Sequence, residues 1–195
     1  MVGSRWIYKV KYATDGNINK YKAIVVAKVS SHVEGVYYED TFSTMARYSS
    51  MKIILALVAW MGWKIHQMDV KTAFLNGVVE EDIYIEQPDG FETFDRETHV
   101  CRLKRVLYGL KQAPHAWYTQ IDTYICGLGF TKSEADANIY YIAVDGKLLI
   151  LVLYVDDLIL TGDEKLIHSF KEDLAREFEL NEMGLMHYFL GLEVW

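Results

Sequence analysis

The sequence predicts an α+β domain in which an antiparallel sheet is backed by two helices. Three observations carry this. Short runs rich in Ile, Val, Leu and Tyr alternate with two amphipathic helical patterns, and the dipeptides Asp15-Gly16 and Asp145-Gly146 fold neighbouring runs into hairpins. Asp-Gly supplies the positive-φ residues a tight hairpin needs. From residue 64 onward the order is strand, helix, strand, acidic hairpin, helix, strand, which is the split βαβ layout.

A chain of 195 residues, 51% hydrophobic, is long enough to bury the core of one large domain or of two interleaved lobes. Its formal charge of −7 argues against a general nucleic-acid binder. The distribution argues otherwise: residues 1–60 hold 8 Lys/Arg against 4 Asp/Glu, and residues 61–195 hold 12 against 23. Cys101 and Cys126 make no disulfide framework and no metal spacing, which suits structural thiols in a reducing compartment. Arg5, Lys9 and Lys11 break up the start, so no signal peptide is predicted. The longest apolar run, residues 53–61, is far shorter than the roughly 20 residues of a membrane span, and no membrane partner is expected.

Residues 6–12 (WIYKVKY) alternate apolar and basic side chains, Asp15-Gly16 turns the chain, and residues 21–28 (YKAIVVAK) return. Lys9, Lys11, Lys22 and Lys28 then form either a basic ribbon or an ordinary solvated face. Ser49 or Ser50 is expected to cap a helix that stops at Gly62 and, being apolar nearly all round, is buried. An alternating strand over residues 64–68 delivers Asp69 at its end, before a turn or short helix containing Val70, Ala73, Phe74 and Leu75. There Asp69 either caps that helix or serves chemistry, while His66, beside Trp63, reads as structural.

Residues 83–86 form a short strand, 89–98 a charged loop, and 101–107 a strand exposing Arg102, Lys104 and Arg105. Pro114 sits in the first turn of a helix that runs to about Leu128, buries Trp117, Ile121, Tyr124, Ile125 and Leu128, and ends at Gly127 or Gly129. Residues 138–144, the Asp145-Gly146 turn and residues 147–155 make a second hairpin. Residues 164–180 form an amphipathic helix with Leu166, Ile167, Phe170, Leu174 and Phe178 on one face, and residues 187–195 a last strand. No internal repeat, low-complexity tract or linker appears.

The chemistry centres on residues 149–161, LILVLYVDDLILT, where Asp156 and Asp157 interrupt an apolar run. Two adjacent carboxylates in such surroundings cost several kcal/mol unless a cation neutralises them. An Asp-Asp pair is also an ordinary solvated turn. Against that bland reading stands Asp69, which the split βαβ layout brings to the same sheet edge. Three hard oxygen donors on a rigid base suit Mg²⁺, and two such ions suit in-line phosphoryl displacement. The predicted reaction class is therefore nucleotidyl transfer.

Tyr154-Val155-Asp156-Asp157 resembles the YxDD box of reverse transcriptases. Residues 67–77 (QMDVKTAFLNG), 107–117 (LYGLKQAPHAW) and 188–194 (YFLGLEV) resemble their counterparts in the copia-type LTR retrotransposons. The resemblance covers nearly the whole chain in order. It implies a polymerase palm, about residues 61–77 and 111–195, with fingers from about 1–60 and part of 78–110, and RNA- and DNA-templated DNA synthesis. Matched box to box, it implies that Asp69, Asp156 and Asp157 are the catalytic metal ligands, holding two Mg²⁺ ions with Mn²⁺ as a substitute. Phe74 is implied under the incoming sugar, Tyr108 and Lys111 at nucleotide and template, Lys22 at the triphosphate, and Leu190, Gly191 and Leu192 in the primer grip.

The implied partners are an RNA or DNA template with primer, deoxynucleoside triphosphates, and the ribonuclease H and integrase domains of a Pol polyprotein. The implied location is a cytoplasmic virus-like particle, or the nucleus. The thumb, the connection region and ribonuclease H are absent, so a polyprotein fragment is expected. Four residues depart from the family pattern: Ile24 stands where Arg is expected, Val29 where Gly is, Thr44 where Pro is, and His115 where Arg is. Isoleucine has no guanidinium for a bidentate phosphate contact. A catalytically impaired nucleic-acid-binding remnant is thus one alternative, although the chain lacks the aromatic signature of RNA-recognition sheets. A palm-type nucleotide cyclase is another, and the basic hairpin and the 107–117 box weigh against it.

Overall fold

A computed structural model describes residues 2–12, 15–28, 45–79, 81–189 and 191–194. In chain order its elements begin with β1 (Ser4–Tyr12), β2 (Ile18–Ala27), α1 (Tyr48–Met61), β3 (Ile65–Val70) and α2 (Ala73–Asn76). There follow β4 (Tyr84–Ile85), β5 (Cys101–Arg102), α3 (Ala113–Gly127), β6 (Thr131–Lys132), β7 (Ile139–Val144) and β8 (Lys147–Tyr154). The chain continues with β9 (Asp157–Gly162), α4 (Glu164–Glu177), β10 (Leu180–Leu185), β11 (Tyr188–Phe189) and β12 (Leu192–Glu193). They fall into two compact units, Met1–Phe42 with Phe74–Gln120 and Ser43–Ala73 with Ile121–Trp195. Among the described residues no helix is long and apolar enough to cross a membrane.

In the first unit β1 and β2 pair antiparallel, with Lys9 opposite Lys22, Lys11 opposite Lys20 and Ile7 opposite Ile24. The predicted turn is present: Gly16 has φ +83, and the Asn17 N–H donates to the Asp15 carboxylate at 3.0 Å. Val2, Ala27, Ile83, Ile85, Val106, Leu110 and Ala113 make the core. The strand expected over residues 101–107 shrinks to Cys101–Arg102. Beyond it the Leu103 N–H bonds the Ile83 carbonyl and the Val106 N–H bonds that of Gly77, so the backbone leaves its one partner strand. Pro114 lies in the first turn of α3 as predicted, and Trp117 is fully buried; from Ile121 on, α3 belongs to the second unit, where Ile121 and Ile125 are fully buried and Tyr124 and Leu128 half-buried.

The second unit is built on a six-stranded antiparallel sheet ordered β10-β3-β9-β8-β7-β6. β10 and β6 are strands that the sequence reading did not anticipate. The helix expected to reach residue 180 ends at Glu177, where Phe178 turns extended and sets its ring edge-on to Tyr124 at 5.2 Å. Asp163 caps the start of α4, accepting from the Lys165 and Leu166 N–H groups. Helix α1 starts earlier than expected: Ser49 and Ser50 lie inside it, and its N-cap Arg47 makes no side-chain cap. Gly62 ends it in the left-handed region at φ +66, as predicted.

Nor is α1 buried all round. Met51, Ile54 and Val58 pack on Ile65, Ile150, Val152 and Ile159 of the sheet, while Ile53 and Trp60 are 68% and 82% exposed. A helix laid on one sheet face buries only one stripe. The strand expected over residues 187–195 is instead a small β11-β12 hairpin around Gly191, at φ +79.

Candidate functional site

Period-two alternation sets the site. Along β3, Ile65, Gln67 and Asp69 share one face of the sheet, and on β9 Asp157, Ile159 and Thr161 stand opposite Asp69, Gln67 and Ile65. Ile65 and Ile159 belong to the core under α1, so this face runs from apolar to acidic along the strands. Beyond β9, Tyr154 of β8 pairs with Asp157, and beyond β3, Asn181 of β10 pairs with Asp69. The four strands therefore carry one cross-strand row: Asn181, Asp69, Asp157, Tyr154. The Tyr154 ring is held edge-on to Phe189 at 5.3 Å.

Asp69 lies within β3, opposite two partners, which overturns the reading of it as a strand-end helix cap. The tip of the acidic hairpin is Val155-Asp156, since Tyr154 and Asp157 are the last pair. Val155 has φ +59, a conformation that a β-branched residue adopts at a cost of about 1–3 kcal/mol. The tip is tied down by the Val70 N–H, which donates to the Asp156 carbonyl at 2.9 Å. Strain of this kind persists only where the surrounding structure over-determines the backbone.

All three carboxylates are half-buried. Burial pushes the Asp157 carboxyl above the usual carboxylate range, the Gln67 amide draws it back, and the charges of Asp156 and Asp69 raise it further. Gln67 Nε2 donates to Asp157 Oδ1 at 3.2 Å. This donor set of hard oxygens under like-charge stress fits a divalent cation. The register makes the carboxylates neighbours without drawing them into a formed cage: among the described residues no three His, Cys, Asp or Glu side chains are gathered to hold a metal ion.

The first unit assembles a separate group. Lys22 Nζ lies 6.0 Å from the centre of the Tyr108 ring, and Phe74 meets the same ring edge-on at 5.5 Å. Three of the four nucleotide-contact candidates, from distant segments, thus converge. The backbone explains how. Ala27 N–H donates to the Tyr108 carbonyl at 2.8 Å, and at Gly109 (φ +89) any Cβ would come within 2.4 Å of the Ala27 carbonyl oxygen. Only glycine there lets β2 dock on the turn that carries Tyr108. Lys111 follows, half-buried, just ahead of α3, and His115 is exposed in the first turn of that helix. Ile24, half-buried, shares its face of β2 with Lys22. Gly191 and Leu192 stand in the β11-β12 hairpin; Leu190, Val29 and Thr44 lie outside the described residues.

Two polar residues beside the carboxylates, Gln67 diagonal to Asp157 and Asn181 opposite Asp69, are not singled out by the sequence alone. Gln67 was findable, two places before Asp69 in an alternating strand. Asn181 was not, because its strand exists only by pairing with β3.

The family model described as reverse transcriptase (RNA-dependent DNA polymerase) matches residues 1–195. The Retrovirus-related Pol polyproteins from transposons RE1 and RE2 of Arabidopsis thaliana are 40% and 39% identical to this chain over 194 residues, 99% of it and 13% of each of them. That from transposon TNT 1-94 of Nicotiana tabacum is 37% identical over 192 residues, 97% of this chain and 14% of its own length. The chain thus spans about one seventh of these curated relatives.

Proposed function

The chain belongs to the reverse transcriptase family, and from that premise we propose that it is the polymerase part of a retrotransposon Pol polyprotein, extending a DNA primer on an RNA or DNA template. In this reading about residues 61–77 and 111–195 are the palm, and about 1–60 with part of 78–110 the fingers. The single observation that carries it is the cross-strand row of Asp69 and Asp157 beside the strained tip that presents Asp156. Asp69, Asp156 and Asp157 would hold two Mg²⁺ ions, for which Mn²⁺ substitutes; when bound, these would activate the primer hydroxyl and neutralise charge on the transferred phosphoryl group.

The chain's own residues do the rest. Lys22 attracts the triphosphate, and Phe74, braced by the Tyr108 ring, stacks beneath the sugar and excludes a 2′-hydroxyl. Tyr108 and Lys111 orient nucleotide and template. Gly191 and Leu192, with Leu190, hold the primer end. Template, primer and deoxynucleoside triphosphates are the substrates; ribonuclease H and integrase are the neighbouring polyprotein domains.

Ile24 favours a refinement of this reading. It shares the Lys22 face but carries no phosphate donor, so the activity, once a thumb is supplied, is expected to be slow rather than absent. The test is primer extension on oligo(rA)·oligo(dT) with Mg²⁺. Asp69→Asn and Asp156→Asn are each expected to abolish extension while circular dichroism stays parental. Near-parental extension by either variant of an active parent overturns the carboxylate assignment.

A further inference from the structure

We propose that Gln67 is a positioning residue whose amide orients the Asp157 carboxylate toward a bound divalent cation. The proposal rests on the reading of Asp69, Asp156 and Asp157 as the cation's ligands. Gln67 pairs with Ile159 in the ladder, so its side chain reaches diagonally along the same face to Asp157, donating from Nε2 to Oδ1 at 3.2 Å. An ionised carboxylate only accepts hydrogen bonds, so the glutamine must turn its NH₂ toward it. With Oδ1 engaged, Oδ2 and the remaining lone pairs stay available to a cation.

The place of Gln67 on the face sharpens the argument. Its predecessor on this face, Ile65, and its cross-strand partner, Ile159, are buried in the apolar core under α1. Gln67 is the polar side chain that follows them on β3 before Asp69. Packing alone would be served by an apolar residue here. A lysine or arginine would compete with the cation, and a glutamate would add a fourth like charge. A neutral donor orients a carboxylate without discharging it, as outer partners of metal ligands do.

The experiment is a Mn²⁺ titration of the 195-residue chain without nucleic acid, read from the electron paramagnetic resonance of the free ion, with Tm measured in EDTA. Gln67→Met removes the donor at similar size, and Gln67→Leu does so with a different shape should the first fail to fold. Gln67→His keeps a ring N–H. Loss of an outer partner weakens metal binding by about ten- to a hundredfold, and that loss is expected for Met or Leu at little-changed Tm, with His close to the parent. Parental Mn²⁺ affinity in Gln67→Met, or equal weakness of Met and His, overturns the proposal. Asp157→Asn and Asp69→Asn separate the two readings. If they weaken binding while Gln67→Met does not, only the role of Gln67 falls; if both bind as the parent does, the ligand assignment itself is wrong.

Discussion

Asp136 holds a helix start that α1 leaves uncapped. It is 4% exposed, and its carboxylate accepts from the Arg47 N–H at 2.8 Å and the Asn138 N–H at 3.1 Å. The first N–H groups of a helix have no partner within it, so a carboxylate from far along the chain does the work expected of Ser49 or Ser50. Burial pushes the Asp136 carboxyl up, but the hydrogen bonds from Arg47, Ser50 and Asn138 outweigh burial and hold it below its ordinary value. Asp157 is the reverse case, where burial and like charge win over one amide. A folded-state pKa lowered in this way stabilises the fold fully above the ordinary carboxylate value and loses that contribution as pH falls through the folded one. Asp136→Asn is expected to cost about 1–3 kcal/mol near neutrality, roughly 2–10 °C in Tm for a chain of this size. The gap between variant and parent closes on acidification. Thermal unfolding of both proteins across pH checks this, and a gap that does not depend on pH would remove the carboxylate's charge from the account.

At the scale of the element, the β1-β2 hairpin separates two chemistries by alternation. Lys9, Lys11, Lys20 and Lys22 share one face, with like charges directly opposite, an arrangement that disfavours the hairpin by itself and favours a polyanion beside it. Tyr8, Tyr12 and Tyr21 stand exposed at 75%, 65% and 73%. This element was legible because both of its signals, period two and Asp-Gly, are local. β10 was not: LNEMGL carries a glycine and its apolar residues do not alternate, and it becomes a strand by pairing with β3 far upstream. The single buried stripe of α1 is not legible, because the sequence shows which residues are apolar but not how many faces have something to cover them. Ile24 belongs to this hairpin, on the lysine face opposite Ile7. Ile24→Arg restores one charge-assisted donor, worth about 1.5–3 kcal/mol, and is expected to raise kcat/KM for the nucleotide roughly ten- to a hundredfold. Affinity for primer-template stays nearly unchanged. Single-nucleotide extension and filter binding measure the two quantities, and no gain in kcat/KM would end the phosphate-contact reading of this position.

Across the whole molecule, neither unit is a continuous stretch of chain, and the consequence is sharpest for the six-stranded sheet. β3 lies between β10 and β9, yet it arrives from Ser43–Ala73, while every other strand of the sheet comes from Ile121–Trp195. Taking β3 away strips β9 of its ladder from Asp157 to Thr161 and leaves β10 without a partner. Loss of the whole Ser43–Ala73 segment also removes α1, exposing Ile150, Val152 and Ile159 to water. The order of elements along the sequence contains this split, which is why the antiparallel sheet and the meeting of Asp69 with Asp157 are legible in the residues alone. The position of the unit boundaries was not readable, because they follow contacts between segments rather than any linker composition. Such long-range pairing makes folding slow, because the chain between β3 and its partners must be closed before these contacts form. A fragment of Ile121–Trp195 is therefore expected to show no cooperative thermal transition by circular dichroism. Adding Ser43–Ala73 as a separate peptide is expected to restore one, and with it Mn²⁺ binding, since Asp69 comes from one piece and Asp156 and Asp157 from the other. A cooperative transition in the larger fragment alone would mean that β3 is dispensable to the sheet; a restored transition without Mn²⁺ binding would mean that the acidic row, though formed, is not where the cation is held.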